Sequence, residues 1–155
     1  MKRSVGTRSA VERCMNGHEH GFEGLKVWQD SRLLCREVLP IVMEAQRHHD
    51  YELSQQLNRA ALSILANIAE GYLRRAEREF AAFVRIASGS NGEVRACLDV
   101  AIDREYVSPP AFHALIDRSN EIGRMLQGLL RALQRTANSP RGHTAIDRAK
   151  PNTKT

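Results

Sequence analysis

Residues 53–73 read LSQQLNRAALSILANIAEGYL, a stretch in which only Arg59 and Glu70 are charged. On a helical wheel of about 100° per residue, Leu53, Leu57, Ala60, Ala61, Ile64, Ile68 and Tyr72 form one apolar face. Leu62, Ala66, Ala69 and Leu73 form a second behind it. Polar groups keep to one narrow stripe of Gln56, Arg59, Ser63, Asn67, Glu70 and Arg74. A surface helix of a small monomeric bundle shows a wide polar back, so a helix apolar on two sides must be covered twice. The bundle core covers one side, and another subunit is the expected cover for the other, which makes Leu62, Ala66, Ala69 and Leu73 the candidate subunit interface. On the competing reading, Ala66 and Ala69 are good helix formers on a solvated face and Leu62 and Leu73 are isolated exposed leucines.

Working outward, a segment at about 24–48 places Leu25, Trp28, Leu33 or Leu34, Val38, Ile41 or Val42, and Ala45 at helical spacing. Pro40 removes one backbone hydrogen bond there and predicts a kink or split near 36–40. After the central helix at about 51–73, Gly71 reads as a breaker, and a third helix is expected over about 77–104. In that helix Phe80, Phe83, Val84, Ala87, Asn91, Val94, Leu98, Ala101 and Ile102 fall along one stripe. Its middle, ASGSNG at 87–92, carries two glycines that cost about 1 kcal/mol each inside a helix. Close helix crossing is the expected reason for them, against a break into two shorter helices or a phosphate-cradling turn; the last lacks the spacing of a known phosphate loop. Ser108-Pro109-Pro110 reads as a helix start with a serine cap, opening a fourth helix to about Arg135.

Four helices with short connections predict an all-α, antiparallel up-down four-helix bundle over residues 21–135. Residues 1–20 and 136–155 lack apolar periodicity and read as disordered tails; the ordered pattern begins so soon after Met15 that this methionine reads as an alternative start.

The 155 residues are 42% hydrophobic and 26% charged, with a formal net charge of +5. That composition excludes a wholly disordered chain, and no run approaches the roughly 18–20 apolar residues of a membrane span. Cys14, Cys35 and Cys97 are odd in number and widely spaced, which points to a reduced, cytoplasmic protein. The charge is unevenly placed: residues 21–135 hold 15 basic and 15 acidic side chains, so the excess belongs to the two tails.

Metal and catalytic chemistry find little support. A di-iron bundle needs Glu-x-x-His pairs, and the sequence contains none. His48-His49-Asp50 sits at a polar helix end, and Cys14, His18 and His20 lie in a tail, so both clusters read as solvated. Nothing marks a cofactor, a small-molecule substrate or an activated nucleophile, and Cys35 and Cys97 read as small core residues. The best candidate for anion or nucleic-acid binding is Arg74, Arg75, Arg78 and Arg85, with pairing to Glu70, Glu77 and Glu79 as the alternative.

The strings LKVWQ at 25–29, QLNRAALSI at 56–64 and NIAEG at 67–71, with Phe80, Phe83, ASGS at 87–90 and Glu93, resemble the bacterial family encoded in 23S ribosomal RNA intervening sequences. The resemblance covers about 25–133. It implies a four-helix bundle that assembles into a ring-shaped homopentamer, with the protein itself as first partner and RNA, or an RNA-bound protein, as a further one. A related branch, the accessory proteins of diversity-generating retroelements, implies binding to a reverse transcriptase and nucleic acid through a basic pentamer surface. The family signature falls on Trp28, Arg59, Ser63, Asn67, Glu70 and Gly71, and the polar members of this set are expected to form a hydrogen-bond network between helices or subunits.

Overall fold

The computed structural model describes residues 21–138, and every regular element among them is helical. A short 3-10 turn, Gly21–Gly24, leads into α1 (Lys26–Arg47), α2 (Tyr51–Leu73), α3 (Glu77–Asp103) and α4 (Pro109–Ala137). Each helix packs on the next and α4 returns to α1, so the four enclose one core. Its fully buried side chains include Leu34, Leu57, Ile64, Ile68, Phe80, Leu98, Ile122, Leu126 and Leu133. All seven residues of the first apolar face of α2, from Leu53 to Tyr72, are buried in it. The expected tails, 1–20 and most of 136–155, lie outside the described residues; α4 itself runs two residues beyond Arg135.

The connections stop the helices without glycine. His49 (φ 58°), Arg75 (φ 58°) and Glu105 (φ 59°) each take the left-handed conformation just after a helix. At the end of α1 the His49 N–H donates to the Gln46 carbonyl and the Asp50 N–H to that of Ala45, at 3.0 and 2.8 Å. Glu105 and Tyr106 repeat the pattern on Ile102 and Ala101 at 3.1 and 2.9 Å. These paired bonds satisfy carbonyls that a helix end leaves orphaned, which offsets the roughly 1–2 kcal/mol that left-handed backbone costs a residue with a β-carbon.

Three local expectations are corrected. No split occurs at Pro40, and α1 is one helix from Lys26 to Arg47: both Pro40 and Arg36, whose carbonyl loses its donor, are exposed, so water can take the missing bond while Val38, Ile41 and Val42 hold the helix to the core. Ser108 stands at the N-cap of α4 as expected, with Pro109 and Pro110 in the first turn, although its side chain makes no cap bond.

Gly71 does not end α2, which continues to Leu73. It is instead buried where α3 crosses: a β-carbon built on it falls 2.6 Å from Phe80 Cδ2 and 2.8 Å from Phe83 Cβ. Conversely, Gly89 and Gly92 are not at a close crossing. Helix α3 is continuous through them, both are exposed, and a β-carbon on either meets nothing within 4 Å. The close, polar positions of that segment are Ser90 and Asn91, both buried.

Identical substitutions at two glycines therefore have opposite expected signs. Gly71→Ala gains helix propensity but overpacks against two phenylalanines, and a net loss of about 1–2 kcal/mol is expected in urea denaturation. Gly92→Ala meets open space and should gain about 0.5–1 kcal/mol. A Gly71→Ala protein as stable as the parent would remove the close contact.

Candidate functional site: the outer face of α2 and α3

Contacts between α2 and α3 run in opposite chain directions. Gln56 Nε2 donates to Glu93 Oε2 at 2.6 Å, the Ser63 and Ser90 hydroxyls share a hydrogen bond of 2.8 Å, and Gly71 meets Phe80. Asn67 Nδ2 donates to the Ser63 carbonyl and hydroxyl at 2.8 and 3.0 Å, and Arg59 Nη2 donates to Gln56 Oε1 at 2.6 Å. The expected polar stripe is thus a seam: Gln56 and Ser63 bridge the helices, and Arg59 and Asn67 brace those two from within α2. Glu70 turns instead to Arg74, whose guanidinium it accepts at 2.6 and 2.8 Å.

Beside this seam α2 presents its second apolar face outward. Leu62 and Leu73 are 48% and 60% exposed, Ala66 is exposed and Ala69 is half-buried. Helix α3 supplies a matching strip that the sequence reading missed: Ala82, Ile86 and Gly89, and beyond them Ala96 and Val100, are all exposed, and their spacing puts them on one line that Glu93 interrupts midway. Ile86 is 52% exposed. The signal was present, but an apolar stripe made largely of alanine and glycine carries little weight beside the longer core stripe of the same helix.

Trp28 belongs to the opposite side of α2. It is half-buried, packs edge-on against Phe22 with ring centroids 5.3 Å apart, and lies under the Arg32 guanidinium at 6.0 Å. Phe22 continues the chain of rings to Tyr72 at 6.4 Å, and Tyr72 to Phe80 at 6.2 Å. This aromatic cluster anchors the 3-10 turn on α1 and α2. Trp28 Nε1 finds no hydrogen-bond partner among the described residues.

Of the four candidate arginines, Arg74 is committed to Glu70 and also lies 5.7 Å over the Phe83 ring. Arg75, Arg78 and Arg85 are exposed, and none has an ion pair among the described residues. Arg78 and Arg85 share one side of α3, two turns apart.

The His-His-Asp cluster is occupied otherwise. His48 stacks on Tyr106 with centroids 5.1 Å apart and His49 Nδ1 lies 3.0 Å from the Tyr51 hydroxyl. Asp50 caps α2, accepting from Leu53 N at 3.3 Å, and pairs with Arg104 at the end of α3. Among the described residues no three His, Cys, Asp or Glu side chains converge as metal ligands. Cys97 is buried and Cys35 half-buried, and burial pushes the Cys35 thiol up to about 11, far from the reactive range. No described helix is long and apolar enough to cross a membrane.

The model of the 23S rRNA-intervening sequence protein family matches residues 23–128, which takes in all of α1, α2 and α3 and most of α4. The chain belongs to that family. A solved structure of a protein with unknown function from the S23 ribosomal protein family of Bacteroides thetaiotaomicron superposes with a TM-score of 0.63 at 22% identity, covering 68% of this chain and 98% of that one; at that identity it speaks for the fold alone. No curated protein matches the sequence. Neither the family description nor that of the neighbour names an enzyme.

Asp50 generates a pH-dependent expectation. Desolvation pushes its carboxyl up, but the Arg104 hydrogen bond and charge and the Leu53 N–H outweigh that and hold it below the usual carboxylate range. A carboxyl whose pKa is lower folded than unfolded stabilises the fold above its unfolded value, near 3.9, and loses that contribution as pH falls through the folded value. Asp50→Asn keeps a competent cap and removes the charge. It should therefore be less stable than the parent at pH 7, with the gap closing as pH drops below about 4; a gap independent of pH would assign Asp50 a capping role only.

Proposed function

We propose that the protein is a non-enzymatic, homo-oligomeric interaction module: an up-down antiparallel bundle that assembles into a pentameric ring and serves an RNA-containing partner. The observation that carries this reading is the outer face of α2 and α3. Two charge-poor apolar strips flank a polar seam, and on the protomer alone nothing covers Leu62, Leu73 or Ile86. Exposed aliphatic side chains aligned along two neighbouring helices are what an isologous or ring-forming contact buries.

The RNA side of the reading rests on the family's description as a 23S rRNA-intervening sequence protein. A ring adds one physical element, because it gathers Arg75, Arg78 and Arg85 from several copies and so gives a bundle of balanced charge a locally basic surface. Direct nucleic-acid binding through those residues is the second reading.

Size-exclusion chromatography with light scattering tests the assembly. The parent should elute as a discrete oligomer, with five copies the expected number, and Leu62→Glu combined with Ala66→Glu should give a monomer of unchanged helical content, since two carboxylates would have to be buried uncompensated. A monomeric parent at micromolar concentration would overturn the reading.

A further inference from the structure

On the side of α3 away from α2 lies an open groove of about 540 Å³ between α3 and α4, lined by Ser88, Arg95, Asn120, Arg124, Gln127 and Arg131. We propose that this groove binds a phosphodiester strand, with single-stranded RNA as its ligand. It deepens the RNA part of the reading above by naming a surface for it, but both walls belong to one protomer, so it stands independently of the oligomeric state.

The lining is chemically one-sided. It contains three guanidinium groups and no carboxylate. Arg95 and Arg131 have no ion pair among the described residues, and Arg124 is held by Glu121 on the exposed face. Beyond Glu121, the described part of α4 carries Arg124, Arg131 and Arg135 and no acid. In a body of balanced charge, this is a local excess of the side chain best suited to phosphate, because the planar fork of arginine donates two parallel hydrogen bonds to phosphate oxygens.

The spacing suits a strand better than a small anion. Asn120, Arg124, Gln127 and Arg131 recur at four, three and four residues, so they form one ladder along α4 in which amide and guanidinium alternate. Arg124 and Arg131 are separated by about 10 Å along the helix axis, which leaves room for successive phosphates of one strand to meet different guanidinium groups. The guanidinium groups fit the backbone, and the intervening amides offer donors and acceptors to base edges.

The floor of the groove is polar and fixed. Asn91 Nδ2 donates to the Ser119 carbonyl at 3.0 Å and Ser119 Oγ returns a bond to Asn91 Oδ1 at 2.9 Å, both in buried positions. Gly123 keeps that floor uncovered: a β-carbon there would lie 3.4 Å from Asn91 Nδ2.

Fluorescence anisotropy of the full chain with a labelled oligouridine of about 15 nucleotides tests the proposal. Saturable binding is expected, weakening steeply between about 50 and about 200 mM salt. Combined Arg95→Gln, Arg124→Gln and Arg131→Gln should weaken binding at least tenfold and flatten the log–log salt slope by about 2, the loss of three contacts at about 0.7 each. The variant should melt as the parent does and keep its oligomeric mass, which separates failure of the groove from failure of assembly. Arg36→Gln, on the exposed side of α1 and away from the groove, should leave the affinity within about twofold of the parent. Full affinity in the groove variant, absence of saturable binding by the parent, or displacement of the RNA by an equal concentration of pyrophosphate at constant ionic strength, which would make free phosphate the ligand, would each overturn the proposal.

Discussion

The close contact of α2 with α3 is the constraint on which the rest of the molecule depends. Gly71 lets the Phe80 and Phe83 side chains approach the α2 backbone more closely than any residue with a β-carbon would allow. The Ser63–Ser90 and Gln56–Glu93 bonds then fix the sliding register along the helix pair. Apolar packing alone tolerates slippage, whereas a satisfied polar pair is made at one register only. With that register set, the outward residues of the two helices lie side by side, and the strips through Leu62 and Ile86 form one surface.

The sequence made much of this legible, and for identifiable reasons. Helix α2 has the bounds expected of it, because an apolar face of strong period is framed by a polar His-Asp pair and an arginine turn. The same wheel separated its core face from Leu62, Ala66, Ala69 and Leu73, which are indeed turned away from the core. What the sequence withheld concerns glycine and proline. Gly71 reads as a stop and is a packing socket; Gly89 and Gly92 read as packing sockets and stand in the open. A glycine looks the same in both settings, and only the neighbouring helix distinguishes them. The real stops, His49, Arg75 and Glu105, take a backbone conformation for which their side chains give no local signal.

Charge teaches a similar lesson about averages. The net charge of +5 belongs to the ends of the chain, and the balanced body invites the conclusion that it has no basic face. The fold undoes that balance locally. Acidic side chains are spent in pairs such as Glu37 with Arg118, Asp50 with Arg104 and Glu70 with Arg74, while Arg95 and Arg131 are left to line a groove. The ladder of Asn120, Arg124, Gln127 and Arg131 was visible in the sequence at helical spacing, but it lies on the polar face of α4, where charged residues are expected merely to meet solvent.

Whether the outer face of α2 and α3 is a subunit contact or a solvated surface is the question on which the function turns, and mass action gives the most direct answer. Binding between copies stabilises the folded state in proportion to the logarithm of protein concentration, so thermal unfolding of an oligomer shifts with concentration and that of a monomer does not. Over a range of about 1 to about 100 μM, the unfolding midpoint of the parent is expected to climb steadily. A midpoint that stays fixed over the same range would contradict the view that this face is covered by another copy of the chain.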